Sequence, residues 1–70
     1  MESFEEWLFK EQKNKATWWN NTHKRQNLTA YEKENLEKVY GKLEMIEAVM
    51  KKLGYTRKER QKQINEVFSK

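Results

Sequence analysis

Between Ala30 and Leu53 the apolar residues Leu36, Val39, Leu43, Ile46, Met50 and Leu53 recur at alternating spacings of three and four, the seam of a helix that packs along its length. Tyr40 widens that seam, Glu34/Lys38 and Glu47/Lys51 stand in supportive i,i+4 register, and Tyr31, Met45 and Val49 lie off it. An earlier stretch is amphipathic in a less regular way. At about 100° per residue, Phe4, Trp7, Leu8, Trp18, Trp19 and Thr22 fall on one stripe, whose middle is interrupted by Glu11 and Lys15. Phe9 and Ala16 fall outside it. The adjacent Trp18 and Trp19 are expected to clamp a facing helix with large apolar area rather than to serve as a ligand platform. A third, shorter run has only Ile64, Val67 and Phe68 as anchors, aided by Tyr55, and predicts the loosest element.

Helix boundaries are set by a repeated punctuation. Ser3/Glu6, Thr29/Glu32 and Thr56/Glu59 each place a hydroxyl three residues before a glutamate, the capping-box spacing in which both side chains bond orphan amides of the first turn. Gly54, following Lys51 and Lys52, is a stop signal. Gln26-Asn27-Leu28 is short enough to make its flanking helices antiparallel neighbours. Gly41 sits on the face opposite the seam, where it is expected to be tolerated rather than required. The pattern predicts an all-α fold in a single domain over residues 1–70: a long antiparallel helical hairpin, about 4–24 and 30–53, with a shorter C-terminal helix at about 57–68.

Composition narrows the function classes. The 70 residues contain no cysteine and one histidine, so neither a disulfide framework nor a Cys/His zinc site is available, and a cytoplasmic setting is expected. A domain of this size without such staples is marginal and gains from association, a homodimer included. Apolar runs are only a few residues long, so no membrane span and no secretory signal are expected. With no aspartate and a lone His23 beside Lys24 and Arg25, no activated catalytic group is apparent. The chain reads as a non-enzyme without a cofactor, catalytic residue or metal site.

The net charge is +4 and unevenly spread. The first stretch carries Glu2, Glu5 and Glu6, whereas Lys10, Lys13, Lys15, Lys24 and Arg25 follow with only Glu11 against them, a polarity that suits the helix macrodipole.

From Phe4 through Glu6-Trp7-Leu8, and again from Tyr40 to Met50, the chain resembles small helical-hairpin accessory proteins of bacteriophages and mobile elements. The resemblance covers residues 4–53 and lies in cadence rather than in an active-site signature. It implies a protein that binds and blocks, or redirects, a host protein, with inhibitors of restriction and CRISPR nucleases (anti-CRISPR proteins) among the candidates. Leu53-Gly54-Tyr55-Thr56-Arg57-Lys58-Glu59 resembles the helix–Gly–aromatic–helix step of ubiquitin-associated-type and RuvA C-terminal domains. Those families place small residues on the next turn, where this chain has Arg60 and Gln63.

The leading expectation is therefore a protein-binding module, with Phe9, Tyr31, Met45 and Val49 as candidate partner contacts because they lie off the inferred seams. The alternative is a small basic nucleic-acid-binding regulator. Its candidate contacts are Lys24 and Arg25 at the basic end of the first helix and Arg57, Lys58 and Lys62 on the third, in a chain of pI about 9.4.

Overall fold

The computed structural model of the chain describes residues 1–69. Three helices, α1 (Phe4–His23), α2 (Ala30–Lys52) and α3 (Arg57–Phe68), form an all-α three-helix arrangement with the expected boundaries. The cap chemistry accounts for those boundaries. Thr29 and Thr56 accept from the amides of Glu32 and Glu59, and each glutamate returns a bond to its cap's own amide. These bonds to the Thr29 and Thr56 amides hold both carboxyls below the ordinary carboxylate range; at Glu32 the Arg25 charge adds to the effect. At Ser3 only half of the box forms. The hydroxyl accepts from the Glu6 amide at 3.1 Å, while the Ser3 carbonyl accepts from the Trp7 amide.

The end of α2 is a Schellman turn. The Tyr55 amide bonds the Met50 carbonyl and the Gly54 amide bonds the Lys51 carbonyl, both at 3.1 Å, with Gly54 at φ +99°. The turn swings Tyr55 back onto the cluster of Leu8, Ile46 and Met50, against which Phe9 and Val49 also pack. An ideal β-carbon on Gly41, by contrast, meets nothing within 4 Å. Gly41→Ala is accordingly expected to raise stability by about 1 kcal/mol, seen as a higher urea midpoint. A lower midpoint would mean that the helix needs the glycine for a reason other than space.

Helix α1 packs against both other helices, whereas α2 and α3 meet over a shorter stretch. Leu8 clusters with Ile46 and Met50, and the Trp19 indole donates to the Leu36 carbonyl at 3.0 Å, so α1 and α2 are antiparallel. Gln12 reaches the Arg60 carbonyl and Asn20 reaches that of Val67, so α3 runs parallel to α1.

This placement corrects the expected stripe of α1. The buried row is Leu8, Gln12, Ala16 and Asn20 with Thr22, while Phe4, Trp7 and Trp18 are exposed by 57%, 48% and 38%. With partners on two sides, α1 turns the line between them inward. Spacings of four along that line gather two amides whose hydrogen-bond partners come from α3. Of the tryptophan pair, only Trp19 clamps its neighbour: it bonds α2, meets Tyr40 and Phe68, and stacks on His23, whose Nδ1–H donates to the Trp19 carbonyl. In α2 the centre of the seam is buried at Leu43, Ile46 and Met50, while Leu53 at its end is open. No residue of α3 is fully buried, in keeping with its sparse anchors.

Candidate functional site

The same rotation that buries Gln12 opens a groove on the far side of α1. Phe4 and Trp7 stand in the first two turns of α1, their ring centroids 6.0 Å apart and tilted by 30°. Met45 and Val49 face them from successive turns of α2, and Leu8 and Ile46 make the floor. The space enclosed is about 240 Å³, and its lining is almost wholly apolar. Met45 is 69% exposed, so together with Phe4 and Trp7 three large apolar side chains meet solvent at one place.

Charge closes one end of the groove. Lys15 pairs with Glu11 at 2.8 Å, and Lys42 lies across from them on α2 without an ion-pair or hydrogen-bond partner among the described residues. Glu5 and Glu6, in the acidic first turn of α1, line a separate hollow with Phe9 and Tyr55. With Lys15 compensated by Glu11, Lys42 is the groove cation whose charge is left to complement an acidic group.

The four partner contacts expected from the sequence do not form one set. Met45 and Val49 lie in the groove. Phe9 is on another side of α1, half-buried, where the Tyr55 ring meets it edge-on at 5.1 Å and the Gln63 amide bonds its carbonyl. Burial is the main cause that raises the Tyr55 hydroxyl's pKa, and the neighbouring Glu5 carboxylate adds to it. Tyr31 is 75% exposed, but in the first turn of α2, about 20 Å from Met45 at 1.5 Å per residue. Phe4 and Trp7, which complete the groove, belong to the stripe that hydropathy alone places in the core. The interruption at Glu11 and Lys15 was the available signal: a charged pair on the stripe means that this line of the helix reaches water.

The basic residues are likewise dispersed. Arg25 is held by Glu32 across the α1–α2 connection. Arg57, Lys58 and Lys62 are exposed along α3, where Glu59 and Glu66 are interleaved with them. Because α1 and α3 are parallel, Lys24 and Arg25 lie toward the C-terminal end of α3. Arg57 is at its N-terminal end, about 18 Å away along a 12-residue helix.

No family model, curated protein or solved structure matches the chain. Its own geometry therefore carries the functional argument. Among the described residues no group of three or more His, Cys, Asp or Glu side chains is placed to hold a metal ion, and no helix is long and apolar enough to cross a membrane.

Proposed function

We propose that this protein is a non-enzymatic binding module that engages another protein through the α1–α2 groove. In this reading it acts as a phage-type accessory factor that modulates or inhibits a host protein, for which a defence nuclease is a fitting target. The observation that supports the reading is the groove itself, an almost wholly apolar channel flanked by exposed Phe4, Trp7 and Met45. Its length along two antiparallel helices suits the apolar face of a partner helix, which would anchor at spacings of three and four. A non-catalytic role fits the state of the polar groups. His23 is engaged with Trp19, and Glu2, Glu11, Glu32 and Glu59 are committed to ion pairs or caps.

The test is capture from host lysate by the wild-type protein and by a Trp7→Ala/Met45→Ala variant, each with and without nuclease treatment. The two residues are exposed by 48% and 69%, so the variant is expected to keep its helical circular dichroism. The wild type should retain a protein after nuclease treatment, and the variant should bind that protein at least about 30-fold more weakly, the loss of about 2 kcal/mol typical of an aromatic hot spot. Capture unchanged by the double substitution would remove the groove from the reading. Recovery of nucleic acid alone would favour the alternative regulator, acting through the exposed Arg57, Lys58 and Lys62.

A further inference from the structure

Two properties of the α1–α2 groove restrict what can lie in it. The first is its apolar lining, with Phe4 and Trp7 on one wall and Met45 and Val49 on the other around a space of about 240 Å³. Pockets for whole small molecules run to roughly 300–1,000 Å³, so a row of side chains fits this one better than a free ligand. An extended peptide would bury its amides and carbonyls against these walls with nothing to bond them. Among the described residues there are only helices, so no sheet edge is present to pair such a strand. A helix makes its backbone bonds internally and carries no such cost.

The second property is charge. Glu11 and Lys15 answer each other at 2.8 Å, and both side chains are largely covered, at 30% and 24% exposure. Lys42, on the opposite wall, is exposed and has no ion-pair or hydrogen-bond partner among the described residues. Any occupant of the groove takes water from that ammonium, at a cost that an opposite charge offsets. A second copy of this chain, packed groove to groove, does not bring one. Among the described residues Glu11 is the one acid lining its groove, and it is already paired.

We infer, building on the groove function proposed above, that the groove receives an amphipathic helix of a different protein with a glutamate or aspartate placed to meet Lys42. Lys42 lies about 5 Å from Met45 and about 10 Å from Val49 along the α2 axis, one turn and two turns away. The partner's carboxylate therefore stands three or four positions beyond the apolar anchor that sits over Met45, on the side away from Val49. Apolar contacts alone accept many helices. The ion pair at Lys42 fixes the register and direction of the one that docks.

The experiment is selection on the full-length protein from a randomised display library of helical peptides of about 15 residues, or four turns. Clones that bind the wild type but not Trp7→Ala/Met45→Ala are synthesised and titrated by calorimetry. They are expected to carry apolar residues at spacings of three and four, with a glutamate or aspartate three or four positions beyond one end of that row. Replacing this acid by its amide should weaken binding to the wild type about two- to fivefold, the scale of an exposed ion pair, and make no difference to binding by Lys42→Gln. Groove-dependent clones without the acid, or an equal loss with Lys42→Gln, would overturn the inference and leave the groove standing. The absence of any clone that depends on Trp7 and Met45 would overturn the groove and the inference together. A dimer in sedimentation equilibrium that Trp7→Ala/Met45→Ala dissociates would give the groove to a second copy and overturn the inference as well.

Discussion

Met50→Ala is expected to leave this protein largely unfolded at 25 °C. Met50 is completely buried, and with Leu8 and Ile46 it makes the central cluster, on which Phe9, Val49 and Tyr55 rest. Truncating a buried methionine to alanine costs about 2–5 kcal/mol, the transfer free energy of the lost atoms plus the cavity they leave. A domain of about 70 residues without disulfides or metal has roughly 3–5 kcal/mol to lose from its core. The loss at this one position is therefore comparable with the whole. The backbone part of Met50's role survives the substitution, since the Schellman bond from the Tyr55 amide uses its carbonyl. What fails is the packing that makes the turn worthwhile. Urea denaturation followed by circular dichroism measures the effect, with Met50→Leu as the volume-conserving control, expected to lose less than about 1.5 kcal/mol. A Met50→Ala protein within about 1 kcal/mol of wild type would mean that the α1–α2–Tyr55 junction is not the centre of the fold.

The helix limits and the α2 seam were legible in the sequence because both depend on neighbours close along the chain. A threonine three residues before a glutamate caps a helix wherever the helix goes, and Gly54 can take its positive φ without reference to the rest of the molecule. The spacing of Leu43, Ile46 and Met50 needed only one partner surface to be read correctly. The rotation of α1 was a different problem. Hydropathy places Trp7 inward and Gln12 outward, and the reverse holds because carbonyl and amide partners for Gln12 come from residues some fifty positions further on. The same long-range origin explains the candidate site. Met45 and Val49 stood out as apolar residues off the seam, which is a local property. Phe4 and Trp7 are open only because α3 fixes how α1 is turned, and Phe9 is covered only because the turn at Gly54 delivers Tyr55 to it. Arg60 and Gln63 show why the likeness to domains with small residues on this turn does not extend to their close packing. Here the interface is spanned by long polar side chains instead.

Gln12 is where that interface is most exposed to test. Its side chain is fully buried; Nε2 donates to the Arg60 carbonyl at 2.8 Å, and Oε1 accepts from Gln63 Nε2 at 3.1 Å, which also donates to the Phe9 carbonyl at 3.0 Å. Gln12→Ala removes both bonds and leaves a cavity, at an expected loss of about 2–3 kcal/mol from hydrogen bonding and packing together. Gln12→Met keeps most of the volume and isolates the polar part, for which about 1–2 kcal/mol is expected. In a double-mutant cycle Gln12→Ala and Gln63→Ala should couple by about 0.5–3 kcal/mol, because each strips the other of a partner. The damage should also be local before it is global. Helix α3 has no fully buried side chain and is tied to α1 by Gln12, Gln63 and Asn20, so its amides should lose hydrogen-exchange protection ahead of those in α1 and α2. Uniform loss of protection across all three helices, or additive single substitutions, would show that α3 is held by apolar contacts alone. If α3 does loosen, Phe68 leaves Trp19, and the constraint that turns Phe4 and Trp7 outward on α1 is relaxed while Met45 and Val49 stay in place on α2. Gln12 variants should therefore also weaken retention of the groove's partner, read by capture from host lysate.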